Sequence, residues 1–514
     1  MGGAGRRLNV STAPARAEER AIQRPAGPLD GRASLLLAAV VGALLLVSPL
    51  SPAIFAVALL GACLLAAYAA HRWPMATLLG GALVTLLDVE ALRRVMPAGV
   101  DIGPLGIGEP LLAIAGVVIL VDGLRRGTVG AAVRDPVVAL AVLFVGVAVL
   151  SAAVNGTPPG AALLGIAMTV DAIAIYVAVR IVRPSIGQGA AVVAGFVAAA
   201  VLIAAFGIAQ YLLDPDLLGF QSVRGQFGEG TRITSFIGHP NMVAAVIGVA
   251  LPFPLFAAAR LEDRTHRWLA RAAVLIMMLA LVLTFSRGAW LAVALAGGLG
   301  ALLFDRRALA LLLAAVVLAV GATMVLPRNV LTPRAAGPPP LFDSTADRLG
   351  NVTQADDVRA HFLRDGLRIV NDHPLLGVGP GRYGGAAATI IPSPVYEEYD
   401  TSLFGYRTVH NFWLHLLGEV GALGTAVFLT MVIGLGIRLG RGARRESGLA
   451  AIILAGSATS LGVAIINSAT EMIFEGNMPV LLLWLVLGVA STLVPSQPLL
   501  FRSGAALEAA DARA

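Results

Sequence analysis

The chain has 514 residues, of which 57% are hydrophobic and 13% charged, and its formal net charge is +6. Soluble domains are roughly 45–50% apolar and about 25% charged, so the composition excludes a soluble globular protein and a nucleic-acid binder. All 37 of the Lys and Arg residues are arginine, which we attribute to coding bias. The lone Cys63 excludes an intrachain disulfide. The sequence indicates an integral membrane protein whose arginine positions carry more information than their number.

The predicted elements are two polar tails, two sets of apolar helices and one long loop. Residues 1–32 are expected to form a disordered cytoplasmic tail, and residues 495–514 a second cytoplasmic tail. Transmembrane helices 1–11 are predicted within residues 33–327 and helices 12–14 within 410–494, since each apolar run approaches the ~20 residues of a spanning helix. The fourteen runs are 33–50, 52–70, 75–90, 107–121, 136–154, 160–180, 190–213, 241–259, 270–285, 288–304, 308–327, 410–437, 449–468 and 478–494.

The fold class expected from this pattern is an all-α integral membrane protein, a bundle of about 12–14 transmembrane helices with a mainly helical extracytoplasmic cap. The runs 75–90 and 107–121 are short, and the count falls to twelve or thirteen if they are re-entrant. The intervening residues 328–409 form a large loop, long enough for a folded cap.

Arginine placement predicts the orientation, because short cytoplasmic loops carry an excess of positive charge. If the N-terminus is inside, the arginine-rich connections fall inside at every alternation, which predicts that both termini are cytoplasmic and that residues 328–409 face outside. We expect a multi-pass protein of the plasma membrane. The arginines assigned to inner connections are Arg125, Arg126, Arg134, Arg180, Arg183, Arg260, Arg264, Arg267, Arg271, Arg306, Arg307, Arg438, Arg441, Arg444 and Arg445.

The cap contains an amphipathic helix pattern from Asp356 to Asn371. Its polar side is predicted to carry the arginines Arg359, Arg364 and Arg368. The apolar positions that set this face are Val358, Phe362, Leu363, Leu367 and Val370. The glycines that follow, Gly377, Gly379 and Gly381, suit a turn better than a backbone nest for an anion.

Two arginines stand at the predicted outer boundary. Arg287 lies between two apolar runs with almost no loop, so it is either a snorkelling side chain at a tight turn or an anion clamp facing a cavity. Arg232 precedes the helix that begins near Pro240, where Asn241 is a candidate cap.

The segment from His410 to Gly421 carries the strongest candidate for catalysis. His410 is placed at a helix N-terminus, where the macrodipole disfavours an imidazolium, and a neutral imidazole is what a general base needs. Asn411, His415 and Glu419 share one stripe of that helix, and Glu419 is expected to pair structurally with His415 or with a neighbouring helix. No histidine pairs with a carboxylate at ligand spacing, so we expect neither a metal nor another cofactor.

Taken together, these segments resemble the O-antigen ligase and polymerase superfamily of bacterial membrane glycosyltransferases, over roughly residues 220–435. Their order and spacing, the many-helix topology and the large outer loop before the last helices all agree. The segments that carry the resemblance are Arg232 to Asn241, Ser286-Arg287-Gly288, Arg359 to Gly379, and His410-Asn411 followed by Leu414, Glu419 and Gly421.

The resemblance implies metal-independent transfer of a glycan from undecaprenyl diphosphate to a hydroxyl-bearing glycan or glycolipid, with inversion, outside the membrane. His410 would match the family's catalytic histidine, and Asn411 would orient it or the sugar. Arginines would bind the diphosphate and stabilise its charge, a role that a metal ion would otherwise fill. The candidates for this role, in order of preference, are Arg287, Arg232, Arg359, Arg368 and Arg364.

Several alternatives remain open at the level of sequence. The chain suits either the ligase or the polymerase branch, which differ in their acceptor. A lipid-linked saccharide flippase would also have many helices, but it needs polar groups near the midplane, for which Asp171 is a candidate. A third reading is a non-catalytic scaffold for envelope assembly.

Overall fold

A computed structural model describes residues 52–88, 108–220, 223–224, 231–326, 352–399, 409–475 and 479–494. The predicted tails and the first apolar run, 33–50, lie outside the described residues, as does part of the predicted cap. The chain divides into two compact units, Met1–Leu65 with Val95–Val100, and Ala66–Arg94 with Asp101–Ala514. Every interaction discussed below lies in the second unit.

Helices dominate the described residues. Those before the cap are α1 (Pro52–Arg72), α2 (Pro74–Asp88), α3 (Gly108–Arg126), α4 (Val129–Val133), α5 (Pro136–Val154), α6 (Pro159–Val182), α7 (Ile186–Leu212), α8 (Pro240–Ala250), α9 (Pro252–Arg260), α10 (Arg264–Leu283), α11 (Arg287–Ala292), α12 (Gly298–Phe304) and α13 (Arg306–Val325). Those in and after the cap are α14 (Val352–Asp372), α15 (Ala386–Ile390), α16 (Val395–Glu398), α17 (Phe412–Arg445), α18 (Gly448–Asn467) and α19 (Pro479–Thr492). Two short strands, β1 (Val223–Arg224) and β2 (Thr231–Arg232), pair antiparallel.

The structure confirms an all-α integral membrane protein. Within the described residues, nine helices or consecutive helix pairs are long and apolar enough to cross a membrane, and three shorter apolar helices accompany them. The nine spans are Pro136–Val154, Pro159–Val182, Ile186–Leu212, Pro240–Arg260, Arg264–Leu283, Arg287–Phe304, Arg306–Thr323, Phe412–Arg445 and Gly448–Asn467. Each coincides with an apolar run of the sequence, because the length of apolar chain fixes where a spanning helix forms.

Local chemistry sets where several helices begin. Proline occupies the first position of α5, α6 and α8, where its missing N–H costs nothing. The carboxylate of Asp135 accepts the Val137 N–H at the start of α5, and Ser185 forms a capping box with Gln188 at the start of α7.

Helix α17 is broken at Gly421, and the break attaches the cap to the bundle. Gly421 adopts φ 64° and ψ −168°, a conformation open essentially only to glycine. The freed amides of Ala422 and Leu423 donate to the carbonyl oxygens of Pro374 and Leu375, at 2.9 and 3.2 Å. In return, the carbonyls of Gly418 and Glu419 accept from Val378 N (2.8 Å) and Gly379 N (2.9 Å). The backbone of segment 374–379 is therefore hydrogen-bonded to α17 on both sides of Gly421.

An aromatic cluster fixes the first turns of α17. Phe412 is fully buried, and the ring centroids of this cluster lie 5.3 to 6.3 Å apart, a separation at which aromatic pairs attract. The members are Phe412, Trp413, Phe428 and Phe474. Since Phe412 and Trp413 open α17, the cluster fixes the position at which the chain leaves His410 and enters the bundle.

The cap helix α14 covers the predicted segment, and Phe362 is buried and Arg364 and Arg368 exposed as expected, but two of the predicted apolar positions do not lie on the buried face. Leu363 and Leu367 are exposed, whereas Phe362, Asp365 and Ile369 are buried. The buried face is set by a close approach at Gly366, where a Cβ would collide with Leu414 and Tyr383. Because a glycine and an aspartate occupy that contact, apolar periodicity alone points to a face rotated from the true one.

Candidate active site

His410 lies just before α17 rather than within it. The residue has φ +49°, a left-handed backbone conformation that is rare outside glycine, and is adjacent to Asn411, the N-cap of the helix. The side-chain oxygen of Asn411 accepts the Leu414 N–H at 3.1 Å. Phe412 N donates to Ser468 O at 2.9 Å, which ties this turn to the end of α18. The backbone therefore holds His410 at the junction of two helices.

The nearest charged group to the His410 imidazole that the structure records is Glu471, a residue that the sequence analysis did not identify. His410 Nδ1 lies 3.5 Å from Glu471 Oε2, with the two side chains 34% and 4% exposed. This separation is somewhat longer than a hydrogen bond, and a shift of about 0.5 Å would close it. Glu471 lies in the turn after α18, so only the tertiary fold brings it to His410.

Glu471 connects His410 to Arg232 through one amide. Asn241 donates from Nδ2 to Glu471 Oε1, and its Oδ1 accepts from Arg232 Nη2 at 2.6 Å. Arg232 Nε donates to Thr284 O at 2.8 Å, which fixes the plane of the guanidinium. Asn241 is therefore a bridge between a carboxylate and an arginine, and the interpretation of it as a helix cap was wrong, since His239 occupies the N-cap position of α8.

Arg287 is the first residue of α11 and stands at the same end of the bundle. The preceding Phe285 is fully buried with φ +54°, so the tight turn between α10 and α11 is a strained, well-packed corner. A Cβ at Gly288 would collide with the hydroxyl of Thr470, the neighbour of Glu471. This contact explains the glycine after Arg287 and places the α11 start against the Glu471 turn.

His239 adds a second imidazole to this group. Desolvation lowers its pKa, the nearby charges of Arg232 and His410 lower it further, and Glu471 opposes the shift. Burial of His239 thus favours the neutral form of this imidazole.

A second cluster is formed by His415 and Glu419 of α17 with Glu475, which follows α18. His415 Nε2 faces two carboxylates, Glu475 Oε2 at 3.5 Å and Glu419 Oε2 at 3.9 Å, and all three side chains are almost fully buried. Glu419 was expected to pair with His415 or with a neighbouring helix, and the structure places it near His415 together with Glu475, which the sequence analysis missed. Among the described residues, no group of three His, Cys, Asp or Glu side chains is arranged to hold a metal ion.

The carboxylates of this cluster accept hydrogen bonds from the backbone at the end of the glycine turn and just after it. Glu419 accepts from Gly381 N (2.8 Å) and Tyr383 N (2.9 Å), and Glu475 accepts from Ala386 N (2.8 Å). His415 Nδ1 lies 2.7 Å from Tyr383 O. The glycines therefore form a turn, as the sequence indicated, and the anion that its N–H groups hold is the protein's own Glu419.

The same chain segment supports the residue before the catalytic candidate. Val409 N donates to Gly384 O at 3.1 Å, and Gly384 N donates to Tyr396 OH at 3.1 Å. Hydrogen bonds of the cap backbone thus connect the buried cluster to Val409, the residue before His410. In this arrangement His415 and Glu419 hold the backbone that positions His410.

The remaining predicted arginines are not brought to His410 by any recorded contact. Arg364 and Arg368 are exposed on α14, and Arg368 lies 3.5 Å from Asp365 of the same helix. The side chain of Arg359 lies outside the described residues. By contrast, the unpredicted Arg382 is half-buried in the glycine turn, where its Nη1 donates to Asn155 O and Val378 O.

A sequence signal for the two missed glutamates does exist. Glu471 and Glu475 lie in the short connection between the apolar runs 449–468 and 478–494, at the end assigned to the outer face. In a chain so poor in charge, two carboxylates in one membrane-boundary turn are as unusual as the arginines that the sequence analysis followed.

A comparison with known protein families finds a similarity over part of the chain. Residues 272–429 match the family model described as O-Antigen ligase. The matched segment includes Arg287, the cap helix and His410, whereas Arg232, Asn241 and Glu471 lie outside it. No curated protein matches the chain.

Proposed function

Because residues 272–429 match the O-antigen ligase family model, we propose that the chain is a metal-independent, inverting glycosyltransferase that uses an undecaprenyl-diphosphate-linked glycan as donor. The coarser assignment, a multi-pass membrane enzyme of the glycosyltransferase type in polysaccharide assembly, follows from the family and the apolar helices. The proposal extends this to the donor, the stereochemistry and the residues.

The observation that carries the proposal is the chain of contacts from His410 through Glu471 and Asn241 to Arg232. It joins an accessible imidazole, a buried carboxylate and an oriented guanidinium at one point of the membrane boundary. Such a group can accept a proton at one end and bind an anion at the other.

His410 would act as the general base. A carboxylate at Nδ1 favours the tautomer with the proton on that nitrogen, which leaves Nε2 as the proton acceptor. The acceptor hydroxyl gives its proton to Nε2 while its oxygen attacks the anomeric carbon from the face opposite the diphosphate. The bond from that carbon to the diphosphate oxygen breaks, and the electron pair leaves with the diphosphate.

The arginines would hold the diphosphate and stabilise its growing charge. Arg232 is suited to this because its anchors on Thr284 O and Asn241 fix the guanidinium before substrate binds, and pre-oriented donors stabilise a transition state best. Arg287 is the second candidate, since α11 begins against the Glu471 turn. Arg359, Arg364 and Arg368 would act only on the more distant glycan, and Asn411 is engaged as a helix cap.

The arrangement of the two ends supports an extracytoplasmic site. The arginine-rich connections α9–α10, α12–α13 and α17–α18 meet at the opposite end of the bundle, around Arg260, Arg307 and Arg444. Under the positive-inside rule that end is cytoplasmic, so His410 would face outside, where a lipid-linked donor is presented.

The test is transfer activity of the purified protein in liposomes with a lipid-diphosphate-linked oligosaccharide and its acceptor. His410→Ala is expected to lower the rate by about 10²- to 10⁴-fold, the usual contribution of a positioned base. His266→Ala, which removes an exposed histidine that lies beside Asp263, is the matched control and should keep full activity. Full activity of His410→Ala at normal membrane levels would sink the proposal, as would retention of configuration in the product.

A further inference from the structure

A cavity of about 500 Å³ lies at the end of the bundle opposite His410. Its wall includes the last turn of α9, the start of α13, the end of α17 and the start of α18. The regular part of α17 after its break at Gly421, from Ala422 to Arg444, alone spans more than about 30 Å and separates the His410 end from this cavity. The cavity is therefore independent of the proposed active site.

The lining of the cavity is rich in arginine. Arg260, Arg307 and Arg444 contribute to it, against the carboxylates Asp305 and Glu446. Asp305 is already neutralised, because it accepts from Arg260 Nε at 3.1 Å and from the backbone N–H of Arg307 at 3.0 Å. The side chains of Arg307 and Arg444 are exposed, and among the described lining residues Glu446 is the carboxylate that remains to offset their charge.

The remaining guanidinium forms a fixed part of the wall. Arg260 Nη2 donates to Phe304 O, and its Cζ lies 5.8 Å above the centre of the Phe256 ring. This arginine is oriented by three neighbours, whereas Arg307 and Arg444 can move toward a ligand.

The helix dipole adds to the positive field. Helix α18 begins at Gly448, on the cavity wall, and its N-cap Ser447 makes no side-chain hydrogen bond to the first turn. An uncapped helix N-terminus presents backbone N–H donors and about half a positive charge, which suits an anion. Gly448 has φ +58° and open space where a Cβ would be, so this face of the turn is unobstructed.

We infer that this cavity binds a phosphate group. Two mobile guanidinium groups, a third fixed one and an uncapped helix N-terminus converge on a space of suitable size, and arginine binds phosphate oxygens bidentately. The cavity lies where the apolar spans Pro240–Arg260 and Gly448–Asn467 end, which is the depth of phospholipid headgroups. A lipid phosphate and a soluble phosphate share this chemistry, and the experiment separates them.

The experiment titrates the detergent-purified full chain with didecanoyl phosphatidylglycerol and, separately, with inorganic phosphate. The readouts are the thermal unfolding midpoint and the number of bound molecules in native mass spectra. The double variant Arg307→Gln/Arg444→Gln is expected to weaken binding of the effective probe by about 10-fold or more, because two charge-assisted contacts are lost. Glu446→Gln is expected to tighten it, since a repelling carboxylate is removed.

The matched control is Arg306→Gln/Arg441→Gln, which removes the same charge from exposed arginines outside the cavity lining. A response to the phosphoglyceride alone assigns the site to lipid, and a response to inorganic phosphate assigns it to a soluble phosphate. Equal losses in the two double variants, or no loss in either, would overturn the inference. Should the first double variant fail to fold, unchanged binding by Glu446→Gln would overturn it instead.

Discussion

The two ends of the bundle use the same kinds of charged side chain in opposite ways. At the end that carries Arg438, Asp135 is completely buried and contacts Arg438 and Arg180, both at 3.2 Å. Arg438 also donates to Tyr176 OH (2.7 Å) and Ser491 Oγ (3.1 Å). Arg438, Arg180 and Tyr176 lie in regular helices and Asp135 caps α5, and the side chains of this cluster are almost entirely buried.

At the other end, the network around His410 keeps one accessible member, which lies on irregular backbone. His410 is 34% exposed with φ +49°, and Phe285 and Gly421 are further positive-φ residues nearby in the fold. The difference separates an ion cluster that stabilises packing from a group that can meet a substrate. A buried ion pair cannot contact a ligand. An accessible imidazole that is hydrogen-bonded or close to a buried carboxylate can still contact one.

The largest effect that would test this comparison is on stability at the Arg438 end. Asp135→Ala leaves two buried guanidinium groups without their carboxylate, so we expect a loss of about 3–5 kcal/mol of unfolding free energy. Transfer activity per folded molecule should be unchanged. Thermal unfolding in detergent measures the first and the liposome assay the second.

Asp263→Ala is the control for this variant, since it removes a comparable helix cap, on α10, from an exposed site. It should lower stability much less than Asp135→Ala, because its carboxylate is exposed to solvent. Equal destabilisation by both variants would mean that the cap, rather than the ion cluster, explains the importance of Asp135.

At the His410 end the order of effects should reverse. Arg232→Gln and Arg287→Gln are each expected to lower the transfer rate by about 10²- to 10³-fold, the effect of losing one donor to a developing anion, with little change in thermal stability. Arg306→Gln, an exposed arginine at the opposite end, is the charge-matched control. A fall in stability without a fall in rate would place these arginines among the structural ones.

The break in α17 predicts a smaller effect that links fold and site. Gly421→Ala forces a side chain into a glycine-only conformation against the backbone of Leu375, so we expect a cost of about 1–3 kcal/mol. Hydrogen exchange at Ala422 and Leu423 should accelerate as the cap segment detaches. Gly436→Ala, a regular helical position where a Cβ meets only Leu461 at 3.6 Å, should leave exchange there unchanged. Identical exchange in the two variants would contradict the attachment.

The smallest expected change in rate concerns Glu471, which under the proposed function orients the His410 imidazole. Glu471→Gln is expected to lower kcat about 10-fold with KM unchanged, because it removes the charge that orients the imidazole but leaves the donor contacts in place. Added to His410→Ala, it should have no further effect, since the two residues act as one unit. An additive loss in the double variant would show that Glu471 serves a separate purpose.

Much of the fold could be predicted from the sequence, whereas the site could be predicted only in part. The nine described spans were located to within eight residues at either end, and most to within four, because a stretch of ~20 apolar residues has one stable state in a bilayer. His410 and Arg232 could be proposed from the sequence because polar and charged groups at a membrane boundary are costly unless they have a function, and they remain proposals. Glu471 was missed, since its relation to His410 spans 61 residues and has no local pattern.

The sequence by itself determined the class of protein, the helices and the segments where chemistry is concentrated. Composition and the length of apolar runs are properties of the linear sequence, so they can be determined without the tertiary structure. The tertiary structure alone decided which charges are sealed and which stay accessible, which face of the cap helix is buried, and that Asn241 bridges an arginine to a carboxylate. These depend on close approaches at Gly288, Gly366 and Gly421, where the absence of a side chain lets distant segments meet.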